Sequence, residues 1–133
     1  MCLPIRRNQK PEIAPEPIVC YKCLTEDMLS PCFEQKYELG KMLTSEFSIN
    51  KEGYRDEIEK GLHTFVNEYE AKNISKDFGW YNRISGCIGI QAPIVVKCII
   101  PKGATYYTAI SMIVGITYEY ASNQLLPLEI ISQ

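Results

Sequence analysis

Apolar and polar residues alternate over several short stretches of the chain, a pattern typical of strands in a half-buried sheet. The stretch Ile94–Ile100 is apolar almost throughout, so we expect a central strand that is buried on both faces. Pro127 restricts the last predicted strand to a sheet edge, because proline cannot donate a ladder hydrogen bond. In chain order, the predicted strands are residues 18–24, 37–44, 83–91, 94–100, 110–120 and 125–131, and residues 47–53 are predicted to form a turn.

Two predictions compete in the middle of the chain. Apolar residues spaced by three and four positions fit one amphipathic helix over residues 54–74. The alternative is a short strand at 62–65, followed by Asn67 as N-cap with a glutamate three residues later, and a helix over 68–76. Gly61 weakens the single helix by about 1 kcal/mol relative to alanine, which favours the alternative without excluding the helix.

Together these elements predict an α+β fold, mainly antiparallel β-sheet with one or two helices, in a single domain. A chain of 133 residues is long enough for one hydrophobic core. Residues 1–17 hold four of the eight prolines without apolar periodicity and are predicted to form an extended arm, which leaves residues 18–133 for the domain. After the apolar strand, we expect a tight turn with Pro101 at its second position and Gly103 at a positive φ.

Charge and hydropathy exclude several classes of function. With 14 basic and 16 acidic side chains the formal net charge is −2, so the chain has no overall positive field and nucleic-acid binding is not expected. The apolar stretches fall short of the roughly 20 residues that a membrane helix needs, so no membrane association is expected. The first residues do not resemble a secretory signal, which predicts a cytoplasmic protein.

The six cysteines are predicted to be reduced, because disulfide frameworks belong to secreted proteins with small cores. Cys20 and Cys23 have a spacing found in zinc sites. In a strand, however, residues three apart point to opposite faces, so this pair could not hold one ion. We therefore expect neither a metal nor a cofactor.

Several polar side chains are candidates for binding or chemistry. His63 is the only histidine, so any imidazole chemistry must use it. Tyrosine combines a large flat face with one polar tip and suits ligand pockets and interfaces, and the chain has nine of them. The candidate ligand-binding residues are Tyr21, Lys22, His63, Lys102, Tyr106, Tyr107 and Tyr118.

A series of short motifs runs along the chain: VCYK at 19–22, SP at 30–31, YELGK at 37–41, EKGLHTF at 59–65, VVKCIIPKG at 95–103, YY at 106–107 and YAS at 120–122. Together they resemble a domain of unknown function found in small hypothetical proteins of phages and bacteria. The resemblance implies a phage or mobile-element setting, and hence the cytoplasm of a host or a virion, but no activity.

A second resemblance, at the level of the fold, is to ADP-ribosyltransferase-like proteins. It implies that His63 and Tyr106 or Tyr107 face a nicotinamide nucleotide and that Glu119 is a catalytic glutamate. The sequence departs from that class because Tyr21 and Lys22 stand where an arginine or histidine is expected, and no Ser-Thr-Ser motif follows.

The leading hypothesis is a non-enzymatic accessory protein that binds a protein partner or a small ligand, which could be derived from a nucleotide. One alternative is a minimal ADP-ribosyltransferase-like enzyme that uses His63, Tyr106 and Glu119. The other is a virion or assembly component that forms a homo-oligomer through residues 1–17, because a proline-rich segment loses little entropy on docking.

Overall fold

The computed structural model describes residues 3–31, 35–76, 91–111 and 116–132. These residues form eleven strands and one helix. In chain order they are β1 (Leu3–Ile5), β2 (Glu12–Ile13), β3 (Ile18–Leu24), β4 (Leu43–Thr44), β5 (Ser48–Asn50), β6 (Asp56–Lys60), β7 (Leu62–Phe65), α1 (Glu68–Lys76), β8 (Ile94–Ile100), β9 (Thr105–Ser111), β10 (Thr117–Ser122) and β11 (Gln124–Ser132).

The strands form a large and a small antiparallel sheet. The large sheet has eight strands in the order β2-β9-β10-β7-β3-β8-β11-β4, and the small sheet has three in the order β1-β6-β5. The prediction of a mainly antiparallel α+β fold is therefore confirmed, with one helix among the described residues. In this part of the chain no helix is long and apolar enough to span a bilayer.

The centre of the large sheet is the pairing of β3 with β8, which aligns the two strands over their full lengths. Val95 and Val96 point to opposite faces of β8 and both are fully buried, as the continuous apolar run predicts. On one face, Val96 packs in a cluster of buried residues that includes Tyr37 and Leu24. On the other face, Val95 packs with Ala71 of α1. The small sheet covers the same face as α1, but farther along the sheet, over β9 and β10.

Residues 62–76 confirm the prediction of a strand followed by a helix and show that the single helix over 54–74 is wrong. Asn67 precedes α1, and its carbonyl oxygen accepts a hydrogen bond from the amide of Ala71 at 3.1 Å. The side-chain amide of Asn67 donates to Glu70 Oε2 at 3.2 Å. Gly61 lies at φ +152 between β6 and β7, where the chain changes direction.

Other boundaries differ from the prediction. The strand predicted over 37–44 is reduced to Leu43–Thr44, because a turn interrupts it: the amide of Lys41 donates to the carbonyl oxygen of Glu38 at 3.2 Å, and Gly40 lies at φ +81. Residues 47–53, predicted as a turn, contain β5, which is stabilised by pairing with β6. The strand predicted over 110–120 is two antiparallel strands, since Ser111 pairs with Thr117.

The final strand is confirmed with a longer span, but its predicted position at a sheet edge is wrong, because β11 lies between β8 and β4. Its pairing with β4 involves only Gln124 and Leu125 and so ends before Pro127, and a bulge separates Pro127 from Glu129 where β11 pairs with β8. Nearly all of the strand predicted over 83–91 lies outside the described residues, and Gln91 itself is not in a strand.

The described part of the N-terminal arm packs on its own chain. Leu3 and Ile5 are buried and belong to β1, which pairs with β6. Farther along, the amide of Ala14 donates to the carbonyl oxygen of Ala104 at 2.9 Å, and the amide of Gly103 donates to that of Ala14 at 2.9 Å. The arm is therefore fixed to both sheets of the fold.

The turn after β8 has the predicted positive φ at Gly103, which lies at +88. The amide of Ala104 donates to the carbonyl oxygen of Pro101 at 3.1 Å, so Pro101 occupies the first position of the turn and not the predicted second. Gly103 is consequently at the third position, where a type II turn requires a left-handed conformation.

We expect Gly103→Val to lower the free energy of unfolding by about 1–3 kcal/mol, because a β-branched residue is strained at this φ. Nothing lies within 4 Å of a Cβ built at this position, so steric overlap does not contribute. Urea denaturation of the variant measures the effect, and Gly53→Val is the matched control because Gly53 lacks a positive φ. If both variants unfold at the same urea concentration as the wild type, φ strain at this turn does not limit stability.

Candidate functional site

Two concave sites formed by described residues bring candidate side chains together. The first, which we call the lysine cavity, has a volume of about 220 Å³ and lies where the segment after β3 covers the large sheet. The second, which we call the arginine cleft, has a volume of about 740 Å³ and lies between the small sheet and β9 and β10. The lysine cavity is lined chiefly by Lys22, Ser30, Tyr37, Glu59, Lys60 and His63. The arginine cleft is lined chiefly by Arg6, Arg7, Tyr54, Arg55, Tyr118 and Glu119.

Lys22 is the central polar group of the lysine cavity. It lies in β3, directly opposite Val96 of β8, so its stem starts from the interior of the large sheet. Its Nζ donates a hydrogen bond to the carbonyl oxygen of His63 at 2.9 Å. The same Nζ lies 6.0 Å from the ring centroid of Tyr37, within the range of a cation–π contact. The ammonium is therefore held in one place by β7 and by the wall of the cavity.

Burial lowers the pKa of the Lys22 ammonium below its ordinary value, and the nearby Cys23, Cys98 and Glu119 oppose this shift less strongly. An ammonium group carries three N–H donors. Within the described residues, the hydrogen bond to His63 is the only one in which Lys22 Nζ takes part. The remaining donor capacity is available to a ligand in the cavity.

Backbone hydrogen bonds hold the outer wall of the lysine cavity. The amide of Gln35 donates to Ser30 Oγ at 2.9 Å, and the amide of Ser30 donates to the carbonyl oxygen of Gln35 at 2.8 Å. The amide of Tyr37 donates to the carbonyl oxygen of Met28 at 2.8 Å. These contacts fix the Tyr37 ring against the core, so the cavity exists before any ligand binds.

His63 contributes its main chain to the lysine cavity, whereas its imidazole lies on the opposite face of the sheet. The register places this imidazole on the same face as Ala121 and Tyr107. Burial, with a smaller contribution from Lys22, lowers the pKa of His63 to about 3. Its Nε2 is buried and has no hydrogen-bond partner among the described residues. The imidazole is consequently neutral near pH 7.

Glu119 lies at the floor of the arginine cleft, in β10, and only 2% of it is exposed. The hydroxyl of Thr117 donates to Glu119 Oε2 at 3.3 Å. Burial raises the pKa of the Glu119 carboxyl to about 7, although the hydrogen bond from Thr117 and the charge of Lys22 act against the shift. Near neutral pH this carboxyl group can therefore act as a hydrogen-bond donor as well as an acceptor.

The structure separates most of the candidate residues. Tyr21 shares a face with Phe65 on the side of the sheet away from the lysine cavity. Lys102 is exposed in the turn after β8. Tyr106 contacts Tyr120 edge to face, with ring centroids 5.7 Å apart.

Tyr107 is buried against Phe47, with ring centroids 5.0 Å apart. Of the candidate ligand-binding residues, Lys22 and His63 line the lysine cavity, Tyr118 lines the arginine cleft, and the others line neither. His63, Tyr106 and Glu119 are not brought to one cavity.

The described cysteines are free and buried. Cys20 lies opposite Cys98 on one face of the sheet, whereas Cys23 faces α1 and its thiol donates to the carbonyl oxygen of Ala71 at 3.2 Å. Strand alternation therefore separates Cys20 from Cys23, as the sequence predicts. Burial raises the pKa of the Cys20 and Cys23 thiols to about 12. In the same ranges of the chain, no three His, Cys, Asp or Glu side chains are grouped as metal ligands would be.

Several residues of the two sites were not predicted from sequence. Tyr37, Ser30 and Glu59 come from segments whose only common feature is the place where they meet in the fold. Arg6 and Arg7 are adjacent in sequence, but nothing local indicates that Arg55 joins them. The pairing of β1 with β6 brings them together, and that pairing links segments about 50 residues apart.

Comparison with known proteins gives no match for the chain among protein-family models, curated proteins or solved structures.

Proposed function

We propose that the protein binds a compact molecule bearing a carboxylate in the lysine cavity, and that it acts by occupancy without turning the ligand over. The observation that carries this proposal is the Lys22 ammonium, held by His63 inside a preformed cavity. A cationic side chain away from bulk solvent is energetically costly unless a partner compensates it. A bound carboxylate supplies that partner.

The size of the cavity sets the size of the ligand. A cavity of about 150 Å³ is large enough for benzene. The lysine cavity, at about 220 Å³, therefore suits a single substituted ring or a molecule the size of an amino acid. Larger cofactors need pockets of about 300–1,000 Å³.

The walls of the cavity also match such a ligand. Tyr37 and Leu62 provide apolar surface near Lys22 and belong to the same core cluster. Glu59 and Lys60 are exposed and lie at the rim, where they can contact a second polar group of the ligand. Binding without turnover is supported by the position of His63, because its imidazole lies on the opposite face of the sheet and does not reach a ligand in the cavity as a general base would have to. Action by occupancy also agrees with the accessory role that the phage-type resemblance implies.

We expect benzoate to bind to the wild-type protein in isothermal titration calorimetry and benzamide, its neutral analogue, to bind much more weakly. Lys22→Met keeps the length of the stem and removes the charge, so it should weaken benzoate binding by about 10- to 150-fold, the equivalent of one charged hydrogen bond. Lys102→Met is the matched control, because Lys102 is an exposed lysine outside the cavity. Equal benzoate affinity in the wild type and Lys22→Met would refute the proposal.

The same titration contains a second readout. Because burial lowers the pKa of Lys22 and a bound carboxylate raises it again, binding should take up protons at pH values above the Lys22 pKa of the free protein. The binding heat should then depend on the ionisation enthalpy of the buffer. This dependence should disappear in Lys22→Met.

A further inference from the structure

The arginine cleft is held in shape by a turn that joins the two sheets. In this turn, the amide of Gln9 donates to the carbonyl oxygen of Arg6 at 3.0 Å, and the amide of Arg6 donates to Gln9 Oε1 at 3.0 Å. The Gln9 side chain also donates to the carbonyl oxygen of Thr108 at 2.8 Å. The amide of Asn8, at φ +58, donates to the buried Asp56 carboxylate at 2.8 Å. Arg6 and Arg7 are therefore displayed from a rigid support.

The same support brings a third arginine beside the first two. In the pairing of β1 with β6, Ile5 lies opposite Asp56. Arg6 directly follows Ile5 and Arg55 directly precedes Asp56, so both arginines leave this pair at the same end, and both line the cleft. Lys51 adds a further cation nearby, since its Nζ lies 3.5 Å from Asn8 Oδ1.

The cations of the cleft are not neutralised by the described part of the chain. Within residues 3–31, 35–76, 91–111 and 116–132, the ion pairs are Lys41 with Glu38 and Lys72 with Glu68, and neither involves an arginine. Asp56 is buried, its Oδ2 accepts a hydrogen bond from the Asn8 amide, and its Oδ1 has no hydrogen-bond partner among the described residues. A cleft lined by three arginines that form no ion pair with a described carboxylate is suited to an external anion.

Aromatic surface lies beside this charge. Tyr54 precedes Arg55, and 98% of it is exposed. Tyr118 also lines the cleft, but strand alternation directs its side chain to the face of β10 opposite to Glu119. The exposed Tyr54 ring next to Arg55 provides a face on which a planar ring can stack. The buried Glu119 at the floor offers a hydrogen-bonding carboxyl group to the polar edge of such a ring.

We infer that the arginine cleft is a second binding site, for a nucleoside phosphate, in which Arg6, Arg7 and Arg55 hold the phosphate and Tyr54 stacks on the base. The volume of about 740 Å³ falls within the range of pockets that enclose ligands of this size. A free nucleotide fits better than a long strand, because the chain as a whole carries a formal net charge of −2.

The test uses adenosine 5′-monophosphate, adenosine, inorganic phosphate and a ten-residue oligodeoxyadenylate as probes in calorimetric titrations of the full chain. We expect adenosine 5′-monophosphate to bind at least tenfold more tightly than adenosine. Arg55→Gln should weaken that binding at least tenfold, whereas Lys102→Gln, a change at an exposed cation outside the cleft, should leave it unchanged. Circular dichroism and the thermal midpoint confirm that each variant is folded.

A second substitution tests base stacking separately from phosphate binding. Tyr54→Leu should weaken the binding of adenosine 5′-monophosphate severalfold and leave inorganic phosphate unaffected, because the exposed ring makes no contribution to the core. Unchanged nucleotide affinity in a folded Arg55→Gln variant would overturn the inference. It would also be overturned if the oligonucleotide alone bound, with a steep dependence on salt, since the site would then be for a strand. None of these outcomes depends on benzoate binding in the lysine cavity.

Discussion

Replacement of either Glu119 or His63 alone is expected to make the stability of the protein steeply dependent on pH. In the wild type, the contributions of these two groups to the pH dependence of the free energy of unfolding cancel over part of the same pH range. Both side chains are buried in the large sheet. Their pKa values move in opposite directions, upward for the Glu119 carboxyl and downward for the His63 imidazole. Burial is the main cause in both cases, because it disfavours the charged form of each group.

For Glu119, the carboxyl group ionises near pH 4.5 in the unfolded chain and near pH 7 in the folded protein. Between these values the folded state holds a proton that the unfolded state has released. The free energy of unfolding therefore falls as the pH rises across this interval, by about 3 kcal/mol in total.

For His63, the imidazole takes up a proton near pH 6.5 in the unfolded chain but only near pH 3 in the folded protein. Between these values the unfolded state holds the extra proton, so stability is lost as the pH falls, by about 5 kcal/mol in total. From about pH 4.5 to 6.5 the two slopes are equal and opposite.

Urea denaturation at half-unit steps from pH 4 to pH 8 measures these slopes. In Glu119→Gln, stability should rise with pH up to about 6.5, whereas in His63→Gln it should fall with pH from about 4.5 to 7. The double variant should again be nearly flat in the shared interval. If the single variants keep the pH profile of the wild type, these two groups do not titrate as their burial implies.

Truncation of Tyr37 to alanine is expected to lower the free energy of unfolding by about 3–5 kcal/mol, the usual cost of removing a large aromatic side chain from a core. Only 2% of Tyr37 is exposed, and its ring packs in the cluster that contains Val96 and Leu24. The ring also forms a wall of the lysine cavity and lies next to Lys22. Tyr37→Ala should therefore abolish benzoate binding as well.

Tyr37→Phe is the matched control for this prediction. It keeps the ring and removes only the hydroxyl group, so it should stay within about 1 kcal/mol of the wild type and retain benzoate binding. Chemical denaturation and calorimetry of both variants distinguish the outcomes. A small loss of stability in Tyr37→Ala would show that the segment around residue 37 is not part of the cooperative core.

The sequence was sufficient to predict elements whose pattern is local. The run Ile94–Ile100 is apolar on both faces except at Lys97, so its burial inside the sheet follows from the sequence alone. Asn67, with Glu70 three residues later, predicted the start of α1 correctly, because an N-cap is a short-range signal. Gly103 was placed at a positive φ for the same reason.

Elements that depend on distant partners could not be predicted in this way. β5 is only three residues long and is stabilised by pairing with β6, so its own residues resemble a turn. The segment after Tyr37 follows the alternation of a strand, but a turn over residues 38–41, with Gly40 at a positive φ, interrupts the pairing. The boundary between β9 and β10 falls within an apolar run, where hydropathy does not mark a reversal of the chain.

The same limit applies to the candidate sites. Lys22 was among the candidate ligand-binding residues, and the structure places it in a cavity. Tyr106 and Tyr107 were candidates too, but strand alternation sends them to opposite faces of the sheet. Arg55 meets Arg6 only through the pairing of β1 with β6, which has no local sequence signal.

The order of strands in the large sheet has a consequence for synthesis of the protein in a cell. β3 pairs with β8, and the last residue of β3 precedes the first residue of β8 by 70 positions, from Leu24 to Ile94. At translation rates of about 5–20 residues per second, β3 leaves the ribosome roughly 4–14 s before its main partner exists. Unpaired apolar strands are prone to associate with other chains during such an interval. The yield of native protein therefore depends on how well residues 18–24 are shielded while the rest of the chain is still being made.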